Sequence, residues 1–306
     1  MSESINLSSE LSKRVSPSWP RSPKVSVLML TRNRPAFLSR AIQSVMDQSF
    51  EDWELLVIHD GTDQETMAVM DRWTKADPRI RYFRREQGGN IANATNFGAS
   101  HARGEYLAIL DDDDFWIASH KLEKQVAFLE THPEHVACGS GMSVVDSNRA
   151  VQMSYLKPEQ DSEIRSRALC ANPMAHSTTI FRRSIGESIG FYDESLAGYQ
   201  DWDIWLRLGL VGKLYNFPEA FACYTLWTAS GSFQQERENA LSALRIVIRH
   251  RKEYGGFPAA LALALAHLAY AYLPDGIRRP SFSFLSRRKK ALFVGRQDGA
   301  VESHRS

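Results

Sequence analysis

EYLAILDDDDFW, residues 105–116, decides how the rest of the chain is read. Its first six residues are short and mostly apolar, as in a strand buried on both faces of a sheet. They run directly into four consecutive carboxylates, Asp111–Asp114, and two aromatic residues follow at once. Like charges set side by side repel one another. The run is therefore either a solvated acidic turn or a set of oxygen ligands for a cation. Phe115 and Trp116 favour the second reading, because apolar rings anchor a loop that a solvated tip would leave free.

The same kind of unit recurs upstream. KVSVLML (24–30) reads as a buried strand, and Pro35 suits the first turn of the helix after it. Phe37, Leu38, Ala41, Ile42 and Val45 lay an apolar stripe along that helix. WELLVIHD (53–60) reads as a second strand, 63–77 as a helix, RIRYFRR (79–85) as a more polar strand near an edge, and 90–102 as a helix. Downstream of the carboxylates, SHKLEKQVAFLETHP (119–133) predicts a helix capped by Ser119 and stopped before Pro133. Strand and helix alternate four times, which implies a doubly wound, mostly parallel sheet with helices on both faces. Ligands of such sheets bind outside the carboxyl ends of the strands. Thr31-Arg32-Asn33, Asp60 and Asp111–Asp114 all fall at such ends, so they should line one crevice.

Beyond residue 135 the alternation loosens. Residues 135–146 and 150–156 suit a hairpin or mixed strands, HSTTIFRR (176–183) a strand, and QDWDIWLRLGLVG (200–212) a short helix. KLYNF and AFACYTLW close the sheet. Residues 233–273 read as two helical pieces divided at Gly255-Gly256.

The totals exclude several classes. With 306 residues, 43% of them hydrophobic, the chain can bury a sizeable core. A net charge of +1, from 37 basic and 36 acidic residues, gives no general case for nucleic-acid binding. Cys138, Cys170 and Cys223 share no close spacing and read as reduced thiols of a cytoplasmic protein. The first residues lack the apolar core of a signal peptide, and 1–23 read as a flexible lead-in. PAALALALAHLAYAYLP (258–274) is shorter between its prolines than the ~20 residues that span a bilayer. It reads as a buried helix. The other reading is a helix on the inner face of a membrane, helped by Arg278, Arg279, Arg287, Arg288, Lys289, Lys290 and Arg296.

Carboxylates at a strand end suit a hard cation, Mg²⁺ or Mn²⁺, shared with the phosphate oxygens of a substrate. At this point VSVLMLTRNRP, WELLVIHDGTDQET, GEYLAILDDDDFW, HSTTIFRR and GYQDWDIWLRL resemble, in order, the motifs of family 2 glycosyltransferases. The resemblance covers about 25 to 230. It implies a GT-A fold, with a nucleotide-binding α/β half, a mixed-sheet acceptor half and here a C-terminal helical extension. The expected organisation is a lead-in over 1–23, a catalytic domain over 24–232 and a helical extension with a basic tail over 233–306.

The resemblance also implies roles. Leu30 and Thr31 begin the loop beside the nucleotide base, and Asp60 hydrogen-bonds that base. The position before it, often aspartate in the family, is His59. Asp111, Asp112 and Asp113 fill the D-x-D region, with Asp113 as metal ligand and the other two near ribose or metal-bound water. Asp201 matches the general base; a glutamate often precedes it, whereas Gln200 stands here. His176, Trp202 and Asp203 are candidates for the acceptor side. The implied reaction is inverting, metal-dependent transfer of a hexosyl group from a UDP- or dTDP-sugar to a glycan or lipid-linked acceptor, in cell-surface polysaccharide synthesis. The rivals are a sugar nucleotidyltransferase and a non-catalytic nucleotide-sugar-binding relative. TRNRP lacks the glycines of the first, and Asp60, Asp113 and Asp201 argue against the second.

Overall fold

A computed structural model of the chain describes residues 22–85, 89–145, 151–225, 236–274, 278 and 295–296. Residues 1–21 of the lead-in and most of the basic tail lie outside the described residues.

The first half is built from β1 (Val25–Thr31), α1 (Pro35–Met46), β2 (Trp53–His59), α2 (Gln64–Ala76), β3 (Ile80–Arg84), α3 (Ile91–His101) and β4 (Tyr106–Ile109). β1 pairs in parallel with both β2 and β4, and β2 with β3. Successive side chains of a strand point to opposite faces. Val25, Val27 and Met29 therefore share a core with Leu38, Ile42 and Val45 of α1, while Leu28 packs with Ile58 and with Ala92 and Ala99 of α3. This two-sided burial explains why β1 and β2 read as nearly continuous apolar runs. The polar strand β3 is indeed the edge. Asp63 caps α2 by accepting from Thr66 N–H at 2.8 Å, and Asn90 caps α3 through Asn93 N–H at 2.9 Å. Gly104, between α3 and β4, crosses close to β1: a Cβ there would lie 2.5 Å from Ser26 N.

The second half turns the sheet mixed. Its elements are β5 (Phe115–Trp116), α4 (Lys121–Thr131), β6 (His135–Val145), β7 (Val151–Leu156), α5 (Asp161–Arg167), β8 (Ile180–Arg182), α6 (Arg183–Ser188), α7 (Gln200–Val211) and β9 (Lys213–Thr225). β8 joins β4 to β6, antiparallel to both. β6 and β7 form an antiparallel pair, and β9 runs parallel to β6 while pairing antiparallel with β5. A two-residue strand β10 (Gly295–Arg296) pairs with β7. The two runs expected at 213–227 make one strand. Its register slips where Ser140 faces Phe217 and Gly141 faces Ala220, which skips Pro218, a residue unable to donate to a ladder.

Three local expectations are corrected. The cap of α4 is His120 and not Ser119, whose carbonyl is engaged by Ser49 N–H at 2.9 Å. The strand expected over 176–183 starts only at Ile180. His176–Thr178 forms a 3₁₀ turn, held by Thr178 N–H and Oγ1 bonding Ala175 O. The helical remainder consists of α8 (Glu236–Arg249) and α9 (Phe257–Ala271), and α9 is not a buried helix. Ala260, Ala264 and Ala271 are buried, whereas Leu263, Leu265 and Tyr272 are exposed. Its main packing partner is α8, and Ala260 and Ala264 also reach the core around Trp202 and Leu206 of α7, so that only one stripe is covered. Among the described residues no helix is long and apolar enough to cross a membrane.

Candidate active site

The carboxyl ends of β1, β2 and β3 are level, with Thr31 beside His59 and His59 beside Arg84. Asp60 N–H donates to Thr31 O at 3.0 Å, and Arg85 N–H to His59 O at 2.9 Å. Leu30, Thr31 and Asp60 thus meet at one rim. Asp60 Oδ1 is buried and has no hydrogen-bond partner among the described residues. An unpaired buried carboxylate oxygen is costly, and a donor N–H from a bound base would satisfy it. His59 is turned into the fold. It is fully buried, with Nδ1 2.8 Å from Tyr82 Oη and Nε2 2.9 Å from Asp63 Oδ1, so it packs and does not line the crevice. Asn33 sits in the left-handed region at φ 56°. Its side chain approaches Gly61 so closely that a Cβ there would be 2.6 Å from Asn33 Oδ1.

The four aspartates divide. Thr31 Oγ1 donates to Asp112 Oδ2 at 2.7 Å. Arg34 Nη1 bridges Asp112 Oδ1 at 3.1 Å and Asp113 Oδ2 at 2.8 Å. Arg40 holds the loop from behind, donating to Asp113 O at 2.9 Å and stacking over Phe115. Asp114 points inward, accepts from Ser177 Oγ at 2.5 Å, and is driven well above the usual carboxylate range by burial and then by Asp111 and Asp113. It belongs to the loop's packing. Burial also pushes Asp112 up to about 7, against the opposing Arg34 charge and Thr31 hydrogen bond. Among the described residues no three His, Cys, Asp or Glu side chains converge as a cage. Such a donor set fits a hard cation held by one or two carboxylates and completed by phosphate oxygens.

On the other side, α7 begins after Tyr199, at φ 55°, and places Asp201 in its first turn. Asn172 Nδ2 donates to Asp201 Oδ2 at 2.5 Å, while Asn172 Oδ1 accepts from Met174 N–H at 3.2 Å. His176 joins the two sides: Nδ1 lies 3.4 Å from Asp111 and Nε2 3.2 Å from Tyr192 Oη. Burial would lower its pKa, but the charges of Asp111 and Asp201 hold it above the ordinary histidine value.

The structure does not bring Asp203 or Trp202 to this crevice. Asp203 is fully buried and paired with Arg207 at 2.7 Å, Arg249 at 2.8 Å and His250 at 3.3 Å. It fastens α8 to α7. Trp202 donates from Nε1 to Ala168 O at 2.7 Å and packs in the core shared with α8 and α9. The sequence reading missed Arg34, Asn172 and Arg85. Arg34 was visible in TRNRP, one residue before the helix start. Nothing in the chain's periodicity marks Asn172. Arg85 carries a buried Nη1 without a partner among the described residues, at the end of β3.

A family model described as Glycosyl transferase family 2 matches residues 26–190. EpsE of Bacillus subtilis (strain 168) is 31% identical over 202 residues, covering 65% of this chain and 71% of that one. The GalNAc(5)-diNAcBac-PP-undecaprenol beta-1,3-glucosyltransferase of Campylobacter jejuni is 31% identical over 209 residues, covering 67% of this chain and 65% of that one. Among solved structures, the mannosyltransferase PcManGT from Pyrobaculum calidifontis, in complex with GDP-Man and Mn²⁺, superposes with a TM-score of 0.61 at 17% identity. That match covers 93% of this chain and 88% of that one. The likeness is one of fold, GT-A.

Proposed function

The chain belongs to glycosyl transferase family 2, and from that membership and the crevice we propose inverting, metal-dependent transfer of a hexosyl group from a nucleoside-diphosphate sugar to an acceptor hydroxyl, in polysaccharide or glycan assembly. The observation that carries this reading is the linkage of two chemistries through one residue. His176 contacts Asp111 of the acid run and feels the charge of Asp201.

In this reading Leu30, Thr31 and Asp60 take the nucleotide, with Asp60 Oδ1 accepting from the base. A uridine or thymidine base is the proposed donor type. Asp113, with Asp111 and Asp112 beside it, would hold Mn²⁺ or Mg²⁺. That ion, when bound, supplies positive charge to the β-phosphate as the sugar leaves. The acceptor hydroxyl gives its proton to Asp201 and attacks the anomeric carbon from the face opposite the phosphate. The new carbon–oxygen bond forms as the bond to the phosphate breaks, and the nucleoside diphosphate departs with the electron pair. His176 lines the acceptor side, where its raised proton affinity makes it a donor to the acceptor or to Asp111.

Undecaprenol-linked oligosaccharide is the substrate in the name of the Campylobacter relative, and a lipid-linked or polysaccharide acceptor is proposed here on that footing. The deciding experiment incubates the protein with UDP- and dTDP-sugars, Mn²⁺ and a lipid-linked acceptor. It follows nucleoside-diphosphate release and the anomeric configuration of the product by NMR. Product with retained configuration would sink the single-displacement scheme, and binding of the donor without release would favour a binding protein.

A further inference from the structure

From Gly255 to Pro274 the chain has no Asp, Glu, Lys or Arg. A helix on the surface of a water-soluble domain ordinarily turns a polar face outward. α9 does the reverse. Its covered stripe is Ala260, Ala264 and Ala271, and its outward face presents Leu265, 49% exposed, with Ala269, Tyr272 and Leu273. The one polar ring within it, His267, points inward, with Nε2 2.8 Å from Glu236 Oε1. A contiguous apolar face of this kind calls for a cover.

The sequence immediately behind α9 indicates which cover. Residues 276–297 contain seven basic side chains and no acidic one. A second copy of the chain pairing through this face would draw two such basic segments together, and their like charges oppose it. An anionic bilayer answers both features, since its acyl boundary takes the apolar face and its headgroups take the basic segment.

We propose that α9 is a membrane-docking surface, lying in the headgroup boundary of an anionic lipid bilayer. Its position gives that docking a use. Ala260 and Ala264 share a core with Trp202 and Leu206 of α7, and the His267 ring lies 6.2 Å from that of Tyr199, two residues before Asp201. The bilayer would then lie beside the end of α7 that carries Asp201. The benefit to a lipid-linked acceptor rests on the role proposed for Asp201; the docking itself does not.

The test is co-sedimentation of the full chain with vesicles of phosphatidylglycerol and phosphatidylcholine, against phosphatidylcholine alone, at low and high salt. The wild-type protein is expected in the pellet with the anionic vesicles, with binding weakened tenfold or more by high salt. The double variant Leu265→Glu, Ala269→Glu changes two exposed positions and should keep the wild-type thermal midpoint. It is expected to lose tenfold or more in binding although the basic segment is intact. Asp201→Asn should sediment like wild type, so failure of the catalytic reading leaves this result unchanged. Wild-type protein remaining in the supernatant at low salt overturns the proposal. So does a double variant that binds as well as wild type. A wild-type dimer in size-exclusion chromatography that the double variant dissolves would hand the face to a second copy.

Discussion

Asn172 donates from Nδ2 to Oδ2 of Asp201 at 2.5 Å across 29 residues of sequence. Its amide cannot flip freely, because Oδ1 is engaged by Met174 N–H. One oxygen of the proposed base is thus oriented by a group that is itself oriented. Asp201→Asn is expected to lower the transfer rate by about 10²–10⁴-fold, the range for a lost general base, with donor affinity unchanged. Asn172→Ala should lower kcat by about tenfold and leave the donor KM alone, since it misdirects the base without removing it. Steady-state kinetics separate the two. A full-strength Asp201→Asn enzyme would move the base elsewhere.

The acid run can be tested by metal binding rather than turnover. Asp113→Ala is expected to abolish Mn²⁺-dependent donor binding while leaving the thermal midpoint near wild type. Arg34 already bridges Asp112 and Asp113, so it competes with an incoming cation. Arg34→Gln should therefore tighten Mn²⁺ binding to the donor-free protein, by about tenfold for each ~1.4 kcal/mol of competition removed. Electron paramagnetic resonance of free Mn²⁺ reads both variants. Weaker Mn²⁺ binding in Arg34→Gln would mean that the guanidinium supports the site.

Lys121 predicts a pH dependence. It is fully buried, its Nζ donates to Gln125 Oε1 at 2.7 Å and lies 4.0 Å from the Trp116 ring centre, and burial lowers its pKa to about 7. Between about pH 7 and the unfolded value near 10.4, the unfolded chain binds a proton at this lysine that the folded chain does not. Stability should rise with pH across that window. Lys121→Met should flatten the slope, measured by urea unfolding at several pH values. An unchanged slope in the variant would refute the assignment.

Asp203 is expected to matter for folding more than for transfer. Burial would raise its pKa, yet hydrogen bonding from His250 and the charges of Arg207 and Arg249 hold it at about 2. Its contribution is fully present above about pH 4 and is lost as pH falls through about 2. Asp203→Ala removes the buried carboxylate that Arg207, Arg249 and the buried His250 share and should cost about 1–3 kcal/mol, seen in denaturant unfolding. A variant as stable as wild type would contradict the buried network.

What the chain determines locally is the kind of each element in the first half and the strand ends that carry polar groups. Runs buried on both faces, a Pro at a helix start and Asp or Asn caps depend on neighbours a few residues away, and those neighbours are read directly. The convergence of Thr31, Asp60 and Asp111–Asp113 was legible too, because parallel strands joined by right-handed crossovers bring their carboxyl ends together. Tertiary contact decided the remainder. Asp201 and Asp203 stand in one helical turn with the same chemistry, and only the arrival of Arg249, the last residue of α8, and His250 just after it makes the second structural. An apolar helix has no internal mark of which face will be covered. That depends on how many neighbours the fold supplies, and α9 is covered along one stripe, by α8 and the core around α7. The charge balance of the acid run also escapes local reading, since Arg34 reaches Asp112 and Asp113 across 78 and 79 residues, a separation that only the folded sheet closes.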